Sequence, residues 1–287
     1  MILYEGGIGM KKSLSATLAL CLAMGLAGCG NDKAPAESAA SANMEVSAPA
    51  EKKPAEKAPT AKEDADKEQK YQAALQSFNE GSSHSVYYEF KALGDYKDSA
   101  QLAQDAVIQN KLNFFTAEPA NWFKERKAQY PIIEGDALAQ TFAGKTWLVP
   151  NFQSVGYMEY TFNSDGTGSI FSSLLNEKWQ DFTWSVNERG IEIHYAGEQA
   201  DGEVRSYPVY KEDYHQVNED VYIQFSPEAE AAHPNGGMPV AYIAKDSDFG
   251  KRYVKGSDIL VKISEDNPNG WTCEQDESGL YYAHVEK

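Results

Sequence analysis

Residues 157–173 read YMEYTFNSDGTGSIFSS. Met158, Tyr160 and Phe162 alternate with Tyr157, Glu159 and Thr161, and a period of two puts successive side chains on opposite faces of a β-strand. Asn163-Ser164-Asp165-Gly166 follows, a cluster of residues that favours a tight reversal, so the stretch predicts a hairpin. The same alternation recurs downstream. Phe182, Trp184 and Val186 alternate with Thr183 and Ser185; Ile191, Ile193 and Tyr195 with Glu192 and His194. Val221, Ile223 and Phe225 alternate with Tyr222 and Gln224, and Ile259, Val261 and Ile263 with Leu260 and Lys262. Asn187-Glu188-Arg189-Gly190 and Asn267-Pro268-Asn269-Gly270 supply further turns. Short strands at this spacing predict an antiparallel barrel or sandwich over 141–287. The inward faces are expected to carry Trp147, Met158, Tyr160, Phe162, Trp184, Ile191, Ile193, Tyr195, Val221, Ile223 and Phe225.

Gly144-Lys145-Thr146-Trp147, Tyr160 through Gly168 (YTFNSDGTG) and Phe182-Thr183-Trp184-Ser185-Val186 together resemble the opening of bacterial lipocalin-like domains. That resemblance implies a tryptophan plugging the barrel floor and a DGTG turn joining the first hairpin. An eight-stranded barrel has an interior that side chains fill or that holds one small ligand. The expected pocket opens at one mouth, near the loop His233 to Met238, with Trp147 closing the other end. The candidate ligand-binding residues are Trp147, Tyr160, Trp184, Tyr195, His233 and Met238.

Upstream, 67–140 reads as helix. Tyr71, Leu75 and Phe78 fall on one helical face, and Gly81-Ser82-Ser83 interrupts the pattern with serines suited to capping. Tyr87, Phe90 and Leu93 follow, and Gly94 is suited to a left-handed stop. Asp95 or Asp98 can cap a third helix with Leu102, Ala106 and Leu112 on its apolar side. Trp122 and Phe123 anchor a further short helix. Residues 88–100, YEFKALGDYKDSA, resemble a tetratricopeptide-type hairpin. A single unit cannot stack into a solenoid, so this hairpin is expected to form a collar packed on the β-domain.

The first 66 residues give an address. Lys11 and Lys12 precede an apolar run from Leu14 to Leu26 that has the order of a secretory signal and is short for a membrane span. Met10, directly before the lysines, is the expected true start. Leu26-Ala27-Gly28-Cys29 resembles the lipobox of bacterial lipoproteins. The resemblance implies cleavage after residue 28 and acylation of Cys29, and Gly30 in place of Asp implies the outer membrane. Residues 29–66 are rich in Ala, Pro, Lys, Glu and Ser, lack aromatic residues, and read as a disordered tether.

The chain has 26 basic and 43 acidic residues, a net charge of −17. Such acidity argues against nucleic acid as a partner, because phosphates are repelled. With Cys21 in the signal and Cys29 lipidated, only Cys273 remains, so no intramolecular disulfide is expected. Cys273 lies in a strand-like run and is expected to be a packed, inert thiol. The nucleophile elbow, P-loop and zinc-protease patterns are absent. The five histidines show no metal spacing; His194 and His215 are the pair placed to meet. Asp246, Asp248 and Asp258 form a loose acidic group. No cofactor, metal or enzyme activity is expected.

The whole reads as an α+β protein: signal (1–28), lipidated tether (29–66), helical collar (67–140) and antiparallel lipocalin-like β-domain (141–287). The expected function is an envelope binding module for a small apolar ligand or an envelope partner. The alternative is a structural or assembly adaptor that uses the helical hairpin and has a solid β-domain. Replacing Cys29 with Ala should abolish metabolic labelling by palmitate and move the protein out of the detergent phase, both read by phase partitioning of labelled cells; continued labelling would refute the lipobox reading.

Overall fold

A computed structural model describes residues 61–133, 137–151, 155–187, 190–195, 214–225, 239–268 and 270–285. The lipobox, most of the proposed tether, and the loop containing His233 and Met238 lie outside them. Residues 65–287 group as one compact unit, to which the fold below belongs.

The 157–173 stretch forms the expected hairpin. Strand β2 (Tyr157–Phe162) pairs antiparallel with β3 (Thr167–Ser172), placing Tyr160 opposite Ile170 and Phe162 opposite Gly168. In the turn, Gly166 has φ +83°, a backbone region open to glycine. The Asp165 carboxylate accepts hydrogen bonds from the Thr167 amide (2.9 Å) and hydroxyl (2.7 Å). The Trp184 indole N–H, from the next strand, reaches the carbonyls of Asn163 (3.0 Å) and Thr167 (3.1 Å) and ties the turn down. A methyl group at Gly168 would lie 2.2 Å from the Phe182 ring, so the ring covers a site that only glycine leaves open.

This hairpin sits within one eight-stranded antiparallel sheet, curled into a half-barrel. Its other strands are β1 (Lys145–Pro150), β4 (Glu177–Asn187), β5 (Gly190–Tyr195), β6 (Tyr214–Asn218), β7 (Val221–Gln224) and β8 (Val240–Ala244). The order is β5-β4-β3-β2-β1-β8-β7-β6, and a separate hairpin joins β9 (Thr272–Gln275) to β10 (Tyr281–His284). The helices are α1 (Ala61–Asn79), α2 (His84–Leu93), α3 (Ser99–Asn113), α4 (Ala117–Glu125), α5 (Ala137–Phe142) and α6 (Asp248–Asp266). Helix α1 thus begins inside the stretch read as tether. None of the helices in the described residues is long and apolar enough to cross a membrane.

Helix α6 corrects the strand expected at Ile259, Val261 and Ile263. Its buried residues Phe249, Tyr253, Gly256 and Leu260 recur at helical spacing, and Ile259 is exposed while Leu260 is buried, the reverse of the alternation. Ser247 caps the helix by accepting the Gly250 amide at 2.9 Å. The turn at 267–270 therefore links this helix to β9 rather than two strands.

Both faces of the sheet are covered around β1, β8 and β7. The concave face carries Trp147, Phe162, Ile170, Phe182, Trp184, Tyr214 and Tyr242, with Leu138 and Phe142 of α5 packed onto them. The opposite face carries Leu148, Val221, Ile223, Ala241 and Ile243 against Leu112 of α3, Ala120 and Phe123 of α4, and Phe249 and Tyr253 of α6. Val221, Ile223 and Phe225 thus point at helices and not into the half-barrel, a second correction. In β7 the inward residues are Tyr222 and Gln224, which pair with Tyr242 and Val240. Alternation marks two faces but not which is inside when helices cover the outer one.

Helices α1, α2 and α3 share a core of Tyr71, Ala74, Phe78, Val86, Phe90, Leu102 and Ala106. Two expected caps act elsewhere: Asp98 accepts the Tyr71 hydroxyl at 2.6 Å, and the Ser83 hydroxyl takes the Asn110 amide at 3.3 Å. Gly94 does adopt positive φ, +59°.

The last turns of α3 bind its neighbours through buried side chains aimed at backbone. Gln109 donates to the Gly81 carbonyl (3.2 Å), Asn113 to the Tyr253 carbonyl (3.2 Å), and Lys111 to the Gly279 carbonyl. Asn110 makes two bonds to one residue of β10, donating to the Tyr281 carbonyl and accepting its amide, each 2.8 Å. Asn110→Ala would leave both backbone groups buried without a partner, so urea unfolding should show a loss of about 3 kcal/mol. Gln101→Ala, on the exposed side of the same helix, should cost less than about 0.5 kcal/mol.

Candidate functional site

The concave face of the half-barrel is where the chemistry-bearing side chains gather. Gly144, at φ +70°, turns the chain from α5 into β1 and lets its amide reach the Phe162 carbonyl at 2.6 Å. That turn sets Phe142 over the face, where its ring meets Trp147 (4.8 Å between centroids), Tyr242 (5.1 Å), Phe162 (5.4 Å) and Tyr214 (5.7 Å). Trp147 is 1% exposed and stands edge-on to Tyr222 at 5.4 Å. The centre of the face is therefore packed with rings.

Polar atoms are set among these rings. The Tyr242 hydroxyl donates to the Gln224 side-chain oxygen at 3.4 Å and is hydrogen-bonded to Tyr214. Tyr160 is hydrogen-bonded to Tyr195, and Tyr195 is 36% exposed where the sheet ends. Burial raises the phenol pKa of Tyr160, Tyr195, Tyr222 and Tyr242, with the neighbouring phenols adding to the rise at Tyr160. All four remain neutral hydroxyls at physiological pH. The Trp147 indole N–H is buried and has no acceptor among the described residues. Buried indole N–H groups ordinarily find a partner.

Four of the expected site residues lie on this one face, in the register Trp147–Tyr160 across β1/β2 and Trp184–Ile193 across β4/β5. They do different things there. Trp147 is buried beside the ring cluster, Trp184 is committed to the 163–167 turn, and Tyr160 and Tyr195 form a phenol pair toward the edge. Sequence reading missed Tyr222 and Gln224 because it inverted the faces of β7, and Tyr214 and Tyr242 because it marked no strand at β6 or β8. The tyrosines at 214, 222 and 242 were the available signal.

The remaining candidates separate. His194 and His215 stand on β5 and β6, at opposite ends of the strand order, and do not meet. His194 contacts Glu192 (3.3 Å), and His215 lies 2.9 Å from the Tyr130 carbonyl and packs on Phe225. Asp248 pairs with Lys251 at 3.2 Å in the first turn of α6, and burial raises the Asp258 carboxyl. Among the described residues no group of His, Cys, Asp or Glu is placed to hold a metal. Cys273 is on β9, as expected, but is exposed rather than packed. Desolvation at the sulfur and the nearby Glu118 carboxylate still push its thiol up to about 12, so it stays protonated.

On the helical side, a shallow groove of 590 Å³ runs along α1, lined by Gln72, Leu75, Gln76, Asn79, Glu80 and Lys255. At its end Lys255 donates to the Asn79 carbonyl at 2.6 Å.

Comparison with known protein families, with curated proteins and with solved structures finds no match to this chain. The class is therefore defined by the fold alone: an antiparallel half-barrel with a ring-packed concave face, buttressed by helices.

The raised phenols set a pH dependence. An unfolded tyrosine ionises near pH 10, whereas Tyr157 is held up to about 12 by burial and Tyr160 and Tyr242 are raised as well. Their contribution to stability is full below pH 10 and is lost as pH climbs through the raised values. A spectrophotometric titration should show this group ionising together with unfolding above about pH 11; smooth ionisation of every tyrosine near pH 10 in a folded protein would contradict it.

Proposed function

We propose that the protein is a lipid-anchored envelope lipoprotein of the bacterial outer membrane, held through acyl chains on Cys29. Its lipocalin-like half-barrel serves as a binding module for a small, largely apolar ligand and does not act as an enzyme. The observation that carries the binding assignment is the buried Trp147 indole N–H without an acceptor, on a face lined by neutral phenols. An apolar pocket with a few convergent polar groups is the form of site that orients a small ligand. The fit is to a molecule with apolar bulk and one acceptor, such as a carbonyl or ether oxygen. Tyr160 and Tyr195 supply hydroxyls at the edge of the face, and His233 and Met238 are proposed to line its mouth. The −17 charge makes an anionic ligand a poor match.

A second reading rests on a separate observation, the rings that pack the centre of the concave face around Phe142. A filled centre favours an adaptor with a solid β-domain that uses its helical hairpin to grip an envelope protein.

Native mass spectrometry of the purified full-length protein separates the two. The binding reading expects a copurifying small molecule that shifts the tryptophan fluorescence, and Tyr160→Phe with Tyr195→Phe should weaken its retention about tenfold, the effect of roughly 1.4 kcal/mol. A protein that carries no small molecule, and whose Trp147→Phe variant is as stable as the parent, would transfer the assignment to the adaptor.

A further inference from the structure

The connection from β3 to β4 ends in an apolar tip that the core does not use. Ser172 pairs with Glu177, so residues 173–176 form the turn; Leu174 and Leu175 within it are 36% and 54% exposed. Close by on β4, Trp179 is 59% exposed, and of the five tryptophans only this one is an exposed residue. The register explains its position. Ile170 faces Gln180 but Phe171 faces Lys178, so Trp179 is the extra residue of a β-bulge. Bulges re-aim a side chain out of the ladder. Here a large ring is re-aimed into solvent beside two exposed leucines, at a hairpin tip whose one lysine is paired with Asp181 at 2.5 Å.

Three apolar side chains at a tip need a partner that accepts a small footprint. A stable protein interface buries about 800 Å² on each side, far more than one hairpin tip presents. A bilayer surface has no such requirement, and its headgroup region is where tryptophan, apolar at one end and a donor at the other, preferentially sits. The reach of the chain supplies the rest. Ala61 lies 32 residues after Cys29, and a tether of the kind expected from that composition would span about 30 Å on average. An anchored N-terminus would hold the domain within that reach of the membrane and raise the effective concentration of the tip there.

We propose that the β3–β4 tip seats on the surface of the bilayer that holds the N-terminus, with Trp179 at headgroup level and Leu174 and Leu175 at the acyl boundary. The surface it fits is zwitterionic, because the strongly acidic chain is repelled by anionic lipid. The proposal rests on the anchoring part of the function proposed above. Three side chains bind too weakly to recruit a free protein, so docking depends on the tether.

The test supplies its own anchor, which separates it from lipidation. The chain from residue 29, carrying Cys29→Ser and an N-terminal histidine tag, is bound to phosphatidylcholine vesicles containing a nickel-chelating lipid and brominated acyl chains. Tryptophan fluorescence should be quenched on the vesicles, and Trp179→Phe should remove most of that quenching. Leu175→Asp, at an exposed position that leaves the core untouched, should reduce it severalfold. Equal quenching in the parent and Trp179→Phe, or none in the parent, would overturn the docking proposal. Neither result bears on whether Cys29 is acylated, which palmitate labelling decides.

Discussion

Over five residues of α3, Gln109 to Asn113, four polar side chains are turned toward the backbone of other segments, and the packing of the rest follows from where they point. They reach the α1–α2 turn, the β9–β10 hairpin and α6. Asn110 is satisfied on both sides by the Tyr281 backbone, and a slip there would leave polar groups buried and unpaired, whereas the side-chain oxygens of Gln109 and Asn113 are buried with no donor to them among the described residues. Next to them the backbones of Gly81 and Gly256 approach so closely that a methyl on Gly81 would lie 2.5 Å from the Gly256 amide nitrogen. Lys111 adds charge to this polar end: its ammonium lies 4.3 Å from the centre of the Tyr281 ring, and burial lowers its pKa.

With α3 fixed, the sheet has a wall to lean on. Leu112 and, from α6, Phe249 and Tyr253 cover the outer face of β1, β8 and β7, while α5 closes the inner face with Phe142. The β3–β5 end has no such helical backing in the outer cluster. This asymmetry leaves the Trp179 bulge in solvent.

The same asymmetry governs how far the sequence could be read. Strands β2 to β5 were legible because their outer positions carry polar side chains: Glu159, Thr183, Ser185 and Glu192 make the alternation visible. The hairpin turn was legible because Asp165 and Gly166 act locally. Where helices cover the outer face, in β7, the helix-facing Val221 and Ile223 are the more apolar set and the inward set is Tyr222 and Gln224, so the pattern points the wrong way. In α6 the alternation of Ile259, Val261 and Ile263 spans less chain than the helical repeat from Phe249 to Leu260, and the longer repeat governs. Of the candidate site, Trp147 and Tyr160 were readable from position in the first strands. Tyr214, Gln224 and Tyr242 were not, since the alternation marks no strand at β6 or β8 and the faces of β7 are set by what covers them. No local pattern announces the amides at 109, 110 and 113, whose partners lie up to 171 residues away.

That distance has a kinetic meaning. Asn110 finds its partner only when Tyr281 has been made, and the Gly81–Gly256 contact waits for α6. The core shared by α1, α2 and α3 is local in sequence, but its attachment to β10 and α6 needs long-range closure, which is slow. Domains generally fold as units, and here the docking of α3 on β10 joins segments 171 residues apart. Loop-closure entropy over that span opposes docking of the β9–β10 hairpin until the contacts of α3, Asn110 foremost, can reward it.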